Sequence, residues 1–126
     1  MLPKFAYVSV VALLLPAFAA GLDSEVTTAG VHAKLAADSS DIKLVRMHLH
    51  HTVNCLVGPK GAKFDATNVN PCANLGNGAI PDSTDAARTD QLKAALATAE
   101  AGLATSNVAV AKQDAANVAA ELTASK

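Results

Sequence analysis

Aromatic side chains are nearly missing from this chain of 126 residues, which has no tryptophan, one tyrosine (Tyr7) and three phenylalanines (Phe5, Phe18, Phe64). Without them there is no platform for stacking bases and no aromatic cage for a quaternary amine. An excess of one charge is also lacking. Ten lysines and arginines stand against eleven aspartates and glutamates, and no basic run breaks the balance. That pattern excludes nucleic acid as a partner and offers no grip on an anionic membrane surface. Catalytic signatures are absent too. There is no serine elbow and no phosphate-binding glycine loop, since Gly76-Asn77-Gly78 reads as a turn, so no nucleotide site and no nucleophile with a matched base can be named. No C-x-x-C-H occurs, which excludes covalent haem, and no E-x-x-H pair suggests a di-iron centre. The chain reads as a non-enzyme.

What is present begins with an export signal. Lys4 precedes an apolar run from Phe5 to Leu15, followed by Pro16-Ala17-Phe18-Ala19-Ala20 with small residues at an A-x-A site. The run is too short to stay in a bilayer. Cleavage after Ala19 divides the chain into a secretory leader, residues 1–19, and a single domain, residues 20–126, periplasmic or secreted and without stable membrane insertion. Phe64 is then the only aromatic residue left, so the core must come from alanine, valine, leucine and isoleucine. In an oxidising compartment Cys55 and Cys72, the only cysteines, are most simply a disulfide. Closing a loop of this size contributes roughly 3 kcal/mol in the chain-entropy description.

The periodicity is helical. Val26, Ala29, Ala33 and Ala36 or Ala37 share a face of a first helix capped by Ser24, and Asp38-Ser39-Ser40-Asp41 interrupts it. A second helix, Ile42 to Val57, aligns Ile42, Val45, Leu49, Val53 and Leu56 and stops at Gly58-Pro59. Residues 58–84 are rich in Gly, Pro and Asn and read as a long loop, with Phe64, Val69, Leu75 and Ile80 as anchors. A third helix carries Leu92, Leu96, Ala99 and Leu103 on its buried stripe, and after Thr105-Ser106-Asn107 a fourth carries Ala111, Ala115, Val118 and Leu122. The expected fold is all-α: a four-helix bundle built from two helical hairpins, residues 24–57 and 85–124, with a disulfide-tethered loop between helices 2 and 3. The hairpins also read as repeats. Ala33-Lys34-Leu35-Ala36 matches Ala101-Gly102-Leu103-Ala104, and once two residues are removed from the first turn, His48, His50 and His51 fall opposite Asp114, Ala116 and Asn117.

Three of the four histidines crowd into Met47-His48-Leu49-His50-His51-Thr52-Val53-Asn54-Cys55. With about 100° between successive residues, His48 and His51 are neighbours one turn apart and can share an ion, while His50 points roughly 100° away from His51. His50 is left with a second site around Met47 and Asn54, or with a surface role. Two imidazoles need completing by His32 on the paired helix, Met47, a carboxylate or water. Imidazole with thioether favours copper, and imidazole with carboxylate and water suits zinc or nickel. A reduced Cys55 would make a stronger soft-metal site with His48 and His51. Clustered histidines that repel when protonated near pH 6 also suit a pH sensor.

Alanine-rich hairpins carrying histidines, as in Val31-His32-Ala33 and His48-Leu49-His50-His51, resemble the small periplasmic metal-binding proteins of proteobacteria that form four-helix bundles. The resemblance covers both hairpins. The chain departs from that pattern in having no histidine in its second half and in carrying the cysteine-bearing loop, which restricts the implied site to the first hairpin around His32, His48 and His51. The expected function is therefore binding of a transition-metal ion by an exported helical protein. The alternative is a non-catalytic structural or interaction module of the cell envelope whose partner is an envelope protein and which has no ligand.

Overall fold

The structure, a computed structural model, describes the backbone from Phe18 to Lys126 and the side chains from Gly21 onward. The expected leader lies outside these residues, apart from the helical backbone of its last two. The described residues are helical without strands: α1 (Phe18–Asp38), α2 (Ile42–Val57), α3 (Ala79–Asp82), α4 (Ala86–Ala104) and α5 (Val108–Ala124). No described helix is long and apolar enough to cross a membrane.

Polar side chains set where α2, α4 and α5 begin. Asp41 accepts hydrogen bonds from the backbone N–H groups of Lys43 and Leu44 at 2.9 and 3.0 Å, Asp85 from that of Arg88 at 3.1 Å, and Asn107 from those of Ala109 and Val110 at 3.0 and 3.2 Å. α2 ends at Gly58, whose φ of 69° favours glycine and where a side chain would collide with the Asn77 carbonyl. α1 does not start at Ser24 as expected. Leu22 and Glu25 are buried, so the apolar stripe continues a turn upstream and leaves Ser24 exposed within the helix. The loop also contains a helical turn of its own, α3, so the expected third and fourth helices are α4 and α5.

α1 packs against α2 and α5, and α4 packs against α5 and α2. The three-residue connections at 39–41 and 105–107 make α1–α2 and α4–α5 antiparallel hairpins. On α1 Val26, Ala29, Ala33 and Ala36 are buried, on α2 Val45, Leu49, Val53 and Leu56, and on α5 Ala111, Ala115, Val118 and Leu122. α4 departs from expectation in turning Leu92, Ala95, Ala99 and Gly102 inward while Leu96 and Leu103 are only partly buried. Leu49 explains the shift: a Cβ at Gly102 would stand 2.9 Å from Leu49 Cδ1, so the large side chain of α2 fills the space that the small residue of α4 leaves.

This burial pattern repeats at a constant shift of 66 residues. Val26, Ala29, Ala33 and Ala36 become Leu92, Ala95, Ala99 and Gly102, and Val45, Leu49 and Leu56 become Ala111, Ala115 and Leu122. The two-residue deletion expected in the first turn is not needed, because the caps Asp41 and Asn107 are themselves one such shift apart. Sequence identity had aligned Ala33-Lys34-Leu35-Ala36 with a stretch that lies two residues out of the buried register.

The long loop is held to the helices at several points. Cys55 and Cys72 form a disulfide with a Cα–Cα distance of 5.1 Å, and both residues are buried. Phe64, Leu75 and Ile80 pack against the core, but Val69 is 67% exposed and is no anchor. The loop uses the Val69 carbonyl instead. Asn54, fully buried on α2, donates from Nδ2 to the carbonyls of Asp65, Asn68 and Val69 at 2.9, 3.3 and 3.2 Å and accepts the Asp65 N–H at 2.9 Å. A single buried amide thus ties three loop carbonyls and one loop N–H to α2.

Candidate metal centre

On the seam between α1 and α2 the small residues Ala29, Ala33 and Ala36 let the helices approach closely, and Thr52 fastens them there. Its buried hydroxyl lies 3.2 Å from the Ala29 carbonyl across the seam and 3.1 Å from the His48 carbonyl on its own helix. This places His32 of α1 opposite His48 and His51 of α2. His32 Nδ1 is 3.4 Å from His48 Nδ1 and 3.3 Å from His51 Nδ1, and one ligand atom from each ring lies within 4.8 Å of the others. His51 is buried and the other two rings are half-buried.

The convergence leaves hydrogen-bonding capacity unmet. The Nδ1 atom of a neutral imidazole carries either one proton or one lone pair, so His32 Nδ1 can make one good hydrogen bond with its two neighbours and not both. A cation at the centre satisfies all three atoms together. The two separations from His32 are also of the right size. A tetrahedral ion with metal–nitrogen bonds of about 2.0–2.1 Å separates its ligand nitrogens by about 3.3–3.4 Å, whereas right-angled octahedral or square-planar ligands at that bond length stand only about 2.9 Å apart. Burial, with the charges of His51 and His48 after it, draws His32 below the ordinary imidazole range. Burial, then the charges of His48 and His50, does the same for His51. Both rings are therefore neutral near pH 7, with lone pairs ready for an ion.

The other residues near the histidine cluster have different roles. His50 points to the loop, where its Nδ1 lies 3.4 Å from Asp65 Oδ2. Met47 is exposed on α2, and the three imidazoles converge without it. Cys55 is joined to Cys72 and no free cysteine remains among the described residues. A scan against protein-family models, a search of curated proteins and a search of solved structures each found no match for this chain.

Sequence reasoning passed over a second polar residue of consequence. Glu25 is completely buried on α1; one carboxylate oxygen accepts the Gly78 N–H at 2.8 Å and the other has no hydrogen-bond partner among the described residues. Burial raises its pKa to about 7, with the Gly78 hydrogen bond opposing and the Asp82 carboxylate adding to the rise. The signal was available: Glu25 is an acidic residue lying between Leu22, Val26 and Ala29 on an otherwise apolar face.

Proposed function

We propose that this protein is an exported four-helix bundle that binds one tetrahedral transition-metal ion through His32, His48 and His51. The observation that carries the reading is the approach of His32 Nδ1 on α1 to the Nδ1 atoms of His48 and His51 on α2, at 3.4 and 3.3 Å, with one ligand atom of each ring within 4.8 Å of the others. Those separations favour zinc or cuprous ion over octahedral nickel, and nitrogen ligation without sulfur favours zinc. Three protein ligands leave a fourth position for water or an incoming ligand, so the ion is accessible for exchange. Export and a periplasmic setting follow from the N-terminal pattern and agree with the Cys55–Cys72 disulfide. The resemblance to the small periplasmic metal-binding bundles points the same way, with one site on one hairpin in place of many.

Calorimetric titration with zinc, with nickel and cuprous ion as competitors, tests this reading. One equivalent of zinc per chain is expected, displaced at equal concentration by neither cuprous ion nor nickel. An isotherm shared by the wild type and the His48→Ala/His51→Ala variant would reject the site.

A rival reading has an observation of its own. The three rings touch one another with centroids 5.0–5.6 Å apart, and His51 meets each of the others nearly edge-on. In a domain short of aromatic residues, such packing alone would suit a structural module of the envelope with no ligand. That reading predicts no zinc uptake and a loss of stability when any ring is removed.

A further inference from the structure

A groove of about 360 Å³ runs between the start of the long loop, α3 and α4, and it shares no residue with the metal centre. Val57, Ile80, Pro81 and Leu96 give it an apolar lining. Lys60, Lys63 and Lys93 stand around it, three of the ten basic residues in a chain whose net charge is −1. Lys63 Nζ is 3.5 Å from Glu100 Oε1, but Lys60 and Lys93 form no ion pair among the described residues. An apolar slot with two unpaired ammonium groups is complementary to a molecule with a hydrocarbon body and one anionic end.

We propose that this groove binds a medium-chain alkyl carboxylate. The tail lies over Leu96, Ile80 and Val57, and the carboxylate sits between the ammonium groups of Lys60 and Lys93. The volume is at the small end of the ~300–1,000 Å³ that ligand sites occupy, which suits a short chain over a bulky lipid. Lysine is a flexible point charge that attracts a compact anion without selecting its shape, so the apolar lining provides the selection through the tail. Lysine stems cover apolar surface in many proteins. Here the stems of Lys60, Lys63 and Lys93 form part of the groove wall beside the apolar residues.

The test is calorimetry or amide-shift mapping of the protein with decanoate below its micelle concentration. Decanol supplies the tail without the charge, and acetate and inorganic phosphate supply charge without the tail. Decanoate is expected to bind below millimolar concentration and at least tenfold more tightly than the other three, shifting the amides of residues 60–63, 80–81 and 93–96. Lys60→Gln/Lys93→Gln should weaken decanoate by about tenfold, the effect of removing two exposed charges. Ala62→Trp, a substitution at an exposed position that fills the groove, should abolish binding. Both variants should retain the wild-type helical circular dichroism and zinc isotherm. The proposal is overturned by no decanoate binding at 1 mM, by decanol binding as tightly as decanoate, by phosphate binding as tightly as decanoate, or by both variants binding like the wild type.

Discussion

The two hairpins of this molecule bury the same positions and differ in what they place between them. Shifted by 66 residues, His32, His48 and His51 of α1–α2 correspond to Thr98, Asp114 and Asn117 of α4–α5. The second seam is closed by an ordinary hydrogen bond from the Thr98 hydroxyl to Glu121 Oε1 at 3.1 Å. Glu25 corresponds to Gln91, which is exposed, and the large Leu49 corresponds to Ala115. A hairpin of this kind therefore forms without histidines, without a completely buried acid and without a disulfide. Each of those features is an addition to the first copy, and each can be removed by making the first copy more like the second.

The largest effect is expected where the core itself is asymmetric. Leu49→Ala gives α2 the residue that α5 carries and empties the space against Gly102. It should cost about 3 kcal/mol, read as a lowered urea midpoint. Reducing the disulfide, or Cys55→Ser/Cys72→Ser, should cost roughly 3 kcal/mol or less, with hydrogen exchange accelerating first in the 58–82 loop. A loop whose exchange is unchanged would mean that Asn54 and the apolar anchors suffice to hold it.

Glu25 sets a pH dependence that the second hairpin lacks. Its folded pKa of about 7 lies above the ordinary 4.5, so the folded state retains a proton that the unfolded chain releases. The stability this provides is complete below pH 4.5 and is lost as pH rises through 7. The loss should be on the order of 2 kcal/mol and absent in Glu25→Gln, measured as urea midpoints between pH 4.5 and 8. His32 and His51 act in the opposite sense. Their lowered pKa values make their contribution complete above pH 6.5 and lost as pH falls below it. Without metal, stability should therefore peak in the mildly acidic range.

The smallest effect on the apo fold, and the largest on ligand binding, comes from His32→Thr/His48→Asp/His51→Asn, which writes the second seam into the first. Stability without metal should change by less than about 1 kcal/mol. Zinc at a hundredfold over its Kd should raise the Tm of the wild type, in keeping with about 2.7 kcal/mol of linkage, and leave that of the variant unmoved.

The helical framework was legible because short-range chemistry dictates it. Asp41, Gly58 and the alternation of Val, Leu and Ala along α2 and α5 act within one or two turns, and two cysteines admit one pairing. What was less legible depends on contact between segments. α4 turns Gly102 inward because Leu49 of another helix lies against it, and Asn54 matters because loop carbonyls fold over it. The site shows the same division. Helical geometry separates His50 from His48 and His51 in the sequence alone, but His32 joins them only because an alanine-rich seam lets α1 and α2 approach closely enough for its ring to reach.

That last step is the central claim, and comparing His32→Ala with His50→Ala in zinc titration tests it most directly. His50 belongs to the dense run of histidines, whereas His32 stands sixteen residues before His48. The predicted result is a loss of at least tenfold in zinc affinity for His32→Ala, with His50→Ala binding as the wild type does. Loss of zinc in His50→Ala with binding preserved in His32→Ala would contradict the account and move the site to a single helix.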